Sequence, residues 1–121
     1  MRTLIAIFTF AGIAPFWFAQ ATPTPKGSGF VAYAPGTASC GSWTEARINH
    51  RQADNDVRFY QFEAYMYGYA SAYNQLSNKT INVMGKTDAD GAYGFIDKYC
   101  ADRPTETFVA AVIALLRHLQ E

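Results

Sequence analysis

Read for where apolar and polar positions fall, the chain divides into an apolar leader, a proline-rich stretch and four segments of helical period. Leu4 to Phe18 is almost wholly apolar. Residues 22–38 then hold three of the five prolines, several glycines and threonines, and one short apolar patch at Phe30-Val31-Ala32-Tyr33. That composition predicts a flexible or extended lead-in outside the core. Ser42-Trp43-Thr44-Glu45 fits a capping box, with Ser42 at the N-cap and Glu45 reaching back to its amide. It opens a first helix over about residues 43–51, with Trp43, Ala46 and His50 inward. Asn49 to Asn55 is polar and aperiodic and reads as a connection.

The clearest helical period starts near Asp54 or Asp56, whose carboxylates suit a helix N-terminus, and runs through Phe62, Tyr65, Met66, Tyr69, Ala72, Tyr73 and Leu76. Five tyrosines lie between Tyr60 and Tyr73. Gly68 costs about 1 kcal/mol relative to alanine inside a helix, which predicts close approach by another helix there. Asn78 to Asp90 reads as a loop enclosing a short extended piece at Thr80 to Met84. A third helix begins near Asp88 or Asp90 and ends by Asp102, with Tyr93, Ile96, Tyr99 and Cys100 inward, and Pro104 stops it. Thr105 can cap a last helix whose Phe108, Val109, Val112, Leu115, Leu116 and Leu119 form one apolar stripe. The expected fold is therefore all-α: a small four-helix domain over 39–121, preceded by a leader over 1–21 and the lead-in over 22–38.

The leader has the order of an export signal: Arg2, the apolar run, then Ala19-Gln20-Ala21 as a cleavage site. Its apolar run is roughly 15 residues and is interrupted by Pro15, whereas a bilayer span needs about 20. Cleavage after Ala21 gives an exported, periplasmic protein with no membrane anchor. Removing Arg2 with the leader leaves nine basic and ten acidic residues, a net charge of −1. Near-neutrality removes the broad electrostatic footprint of a nucleic-acid binder. Arg47, Arg51 and Arg58 read as a solvated helix face. Cys40 and Cys100 are the only cysteines and, in an oxidising compartment, read as one structural disulfide. Closing that loop stabilises the fold by roughly 4 kcal/mol on the chain-entropy view.

No residues emerge as catalytic, metal-binding or cofactor-binding, and the chain is not expected to be an enzyme. Asp88, Asp90, Gly91 and Asp97 match part of a calcium loop, but the alignment puts Lys86 at its first position, so the aspartates read as helix caps. His50 and His118 lack a second ligand at i+3 or i+4. Glu63 with Asp97 is a carboxylate pair of no particular distinction. The tyrosine-rich helix is read as core first, with an exposed recognition face as the alternative.

Cys40-Gly41-Ser42-Trp43, Gly68-Tyr69-Ala70-Ser71-Ala72-Tyr73-Asn74, and Ile96-Asp97-Lys98-Tyr99-Cys100 followed by Pro104 and an Ala/Leu helix resemble the periplasmic immunity proteins of type VI secretion amidase effectors, the Rap/Tai-like family. The resemblance spans about Ser39 to Leu119, and members often carry more cysteines than the two here. It implies a disulfide-bonded helical protein whose partner is a cognate peptidoglycan amidase and which plugs that enzyme's active-site cleft. The Asn78 to Asp90 loop is the expected inserted element, with Lys79, Asn82, Met84 and Lys86 as contacts. Acid-stress chaperones of the HdeA type share the glycine-aromatic helix and cysteine-proline segment and supply the alternative function. A homodimer is left open by the residues.

Overall fold

The computed structural model describes residues 31–53, 56–77 and 81–121. The leader, its cleavage site and Lys79 lie outside the described residues. Four α-helices follow in order: α1 (Cys40–Ala53), α2 (Val57–Leu76), α3 (Ala89–Asp102) and α4 (Phe108–His118), with a 3-10 turn at Val83–Lys86 between α2 and α3. The domain is all-α, with one disulfide joining Cys40 to Cys100. Among the described residues, no helix is long and apolar enough to cross a membrane.

Local capping chemistry explains where two of the helices start. Asp56 accepts the Arg58 amide at 2.8 Å and begins α2, and Asp88 accepts the Gly91 amide at 2.8 Å and begins α3. The start of α1 departs from the expected capping box. Ser39, not Ser42, is the cap, with Ser39 Oγ taking the Ser42 amide at 3.2 Å and Ser39 O taking the Trp43 amide at 3.3 Å. Tertiary pairing selects that register. Ser39 forms an isolated antiparallel bridge with Thr107, and the Cys40 amide donates to Glu106 O at 2.7 Å. Glu45 turns outward to Arg58 at 3.3 Å. The stretch from Asn49, expected as a connection, continues α1 to Ala53.

The last helix starts later than a Thr105 cap would place it. Thr107 holds the cap position without a side-chain hydrogen bond. The first amides of α4 are instead satisfied by the chain ahead of α1: Phe108 donates to Ala38 O at 2.8 Å and Val109 to Gly36 O at 2.9 Å. The C-terminal end of the lead-in is thereby bound to the helical body. Gly36 is buried there, and a Cβ at that position would run into the Tyr65 ring.

The core is organised around Trp43 of α1, which is fully buried. Its ring meets Phe59 at 5.9 Å and Phe62 at 5.8 Å from α2, Tyr93 at 6.2 Å from α3 and Phe108 at 5.2 Å from α4. Met66, Ile96, Val112 and Leu115 complete the centre, and the expected stripe on α4 is buried along its whole length. His50, expected inward, is half-buried and stacks on Phe59 at 4.0 Å.

Three expectations for the middle of the chain change. The buried line of α2 is Phe59, Phe62, Met66 and Ala70, with Tyr65, Tyr69 and Tyr73 half-buried beside it. Leu76 is 81% exposed, although Tyr73 and Asn74 just before it bond to Gln120 and Val83. Gly68 marks no helix approach within the chain: it is exposed, and a Cβ there would meet nothing within 4 Å. Of the extended piece expected at Thr80 to Met84, Thr80 lies outside the described residues, Ile81 and Asn82 have no regular structure, and Val83 and Met84 belong to the 3-10 turn, with Val83 buried in the core.

Two outcomes follow for stability. Gly68→Ala fills open space on an exposed helix interior and raises stability by about 1 kcal/mol, measured by urea denaturation in dilute solution. Replacing Cys40 and Cys100 together with serine frees a loop of 60 residues and lowers stability by roughly 4 kcal/mol, read from the same denaturation midpoint.

Candidate functional site

The segment after α2 builds a small projecting turn from a buried anchor and two sets of hydrogen bonds. Val83 is buried against the core, and its amide donates to Asn74 Oδ1 at 3.0 Å. The Gly85 amide returns to Asn82 O at 3.0 Å, and the Thr87 amide to Met84 O at 3.2 Å. Asn82, Gly85 and Lys86 remain exposed, while Met84 is half-buried and packs on the core. Of the contacts expected from the sequence, Asn82 and Lys86 thus stand together on the surface, and Met84 divides its side chain between surface and core.

Asn82 and Lys86 edge an open groove of about 500 Å³, with Tyr73, Ser77, Ile81, Leu119 and Gln120 on its other sides. The Tyr73 hydroxyl donates to Gln120 Oε1 at 2.6 Å, which ties α2 to the C-terminus of α4 across the groove floor. Its described lining combines neutral donors and acceptors with the apolar Ile81, Val83 and Leu119 and one cation, Lys86.

The charged residues read as a solvated face of α1 have a different role. Arg47, Arg51 and Trp43 converge from α1 on Asp97 of α3. The Trp43 indole N–H donates to Asp97 Oδ1 at 2.8 Å, Arg47 Nη2 lies 3.3 Å from Oδ2, and Arg51 Nη2 lies 2.6 Å from Oδ2. The Arg47 side chain is only 14% exposed, with its guanidinium carbon 4.8 Å from the Tyr93 ring centroid and 5.6 Å from that of Trp43. The spacing of residues 43, 47 and 51 at i, i+4 and i+8 was the sequence signal for this shared face. Asp97 is therefore committed to structure, as is Glu63, which accepts the Tyr93 hydroxyl. Of the aspartates expected as caps, Asp88 caps α3, whereas Asp90 lies in its first turn and Asp97 sits mid-helix as the acceptor of this cluster. His118 stacks on Phe95 at 5.1 Å.

Three tyrosines are held neutral. Burial pushes the Tyr93 hydroxyl well above its ordinary value, and the hydrogen bond to Glu63 adds to it. Tyr99 is raised by burial and by its bond to Glu106, and Tyr65 by burial and by Tyr69.

No family model, curated protein or solved structure matches the chain.

Two measurements check this geometry. Asp97→Ala strands the mostly buried Arg47 guanidinium and lowers stability by about 2 kcal/mol, whereas Arg51→Ala, at a side chain 58% exposed, costs at most about 1 kcal/mol. The raised tyrosines stabilise the fold fully below their unfolded value of about 10, and that stability is lost as pH rises toward their folded values. The melting temperature is thus expected to fall above about pH 10. Tyr93→Phe is expected to reduce the tyrosinate absorbance that appears only at the most alkaline end of a spectrophotometric titration.

Proposed function

We propose that this chain is an exported helical protein that binds a peptidoglycan amidase effector and neutralises it by occluding the active-site cleft. The supporting observation is the anchored turn at Val83–Lys86, which holds Asn82 and Lys86 outward beside the groove while Val83 is fixed in the core. An inhibitor gains affinity when its inserted element is shaped before binding, since ordering a loop on association offsets part of the contact energy. The resemblance of the Cys40-Gly41-Ser42-Trp43, Gly68 to Asn74 and Ile96 to Cys100 segments to Rap/Tai-like immunity proteins supports the choice of partner. In this reading the chain contributes surface and no reaction. Lys86 offers a cation to acidic or carbonyl groups around the enzyme's cleft, and Asn82 offers an amide donor and acceptor.

The test uses the full exported chain with an NlpC/P60-like amidase encoded beside it. Alanine at Lys79, Asn82 and Lys86 together is expected to weaken inhibition at least tenfold while leaving the melting temperature unchanged. Met84→Ala is expected to weaken inhibition and to lower the melting temperature modestly, because that side chain also packs on the core. Unchanged affinity in both variants would remove the turn from the interface. Capture of many unrelated clients only at acidic pH would replace the immunity reading with a stress chaperone.

A further inference from the structure

We draw no further inference here: the strongest candidate, the open hollow between α3 and the last turn of α4 lined by Phe95, Lys98, Tyr99, Asp102, Arg103 and His118, carries nothing because its rim mixes cations with a carboxylate and nothing in the structure shows what covers it.

Discussion

The structure depends on the burial of one amphipathic ring. Trp43 has to lose all contact with water, and its indole N–H then needs an acceptor inside the fold, because an unpaired buried donor costs on the order of 1–3 kcal/mol. Asp97 supplies the acceptor, but a half-buried carboxylate needs cations of its own. Arg47 and Arg51 provide them, and Arg47 lies over the aromatic rings that also enclose Trp43. One residue therefore sets the distance between α1 and α3, the rotation of α1 about its axis, and the position of Phe59, Phe62 and Phe108 from the other two helices.

A second set of constraints ties the two ends of the domain together. The Cys40–Cys100 bond, the Ser39–Thr107 bridge and the hydrogen bonds from the first amides of α4 to Gly36 and Ala38 all fall within one small region. The start of α1, the loop after α3 and the start of α4 are held there at once. That clamp leaves the opposite region, from the C-terminus of α2 through the 3-10 turn to Gln120, free of covalent restraint and lined by polar groups. The recognition surface proposed for this chain, the turn beside the groove, lies away from the clamp.

The helical composition was legible from local signals, because amphipathic period and caps act within a few residues. Asp56 and Asp88 are caps as their sequence context indicated, and the apolar stripe from Phe108 to Leu119 is buried as its period required. The Ser42 box failed although its residues were suitable. An equally competent serine three residues earlier was held extended by Thr107, and no local rule ranks two caps when a distant segment chooses between them. Of the candidate contacts, Asn82 and Lys86 were legible as surface residues because they are polar and lie between helical segments. The anchoring of the turn was not, since the burial of Val83 depends on the shape left by α2 and the core.

The sequence by itself determined the four helices, the direction of the apolar face of α4 and, having only two cysteines, the one disulfide available to the chain. Each follows from composition or from spacing along a few turns. Tertiary structure alone decided that Arg47 is a core-lining cation, that Gly68 faces outward, and that α4 takes its first hydrogen-bond partners from the chain ahead of α1. Those outcomes turn on which buried donors, acceptors and charges remain unsatisfied once the helices pack. Such groups find partners wherever the fold brings them, 54 residues away in the case of Trp43 and Asp97 and farther still in that of Val109 and Gly36.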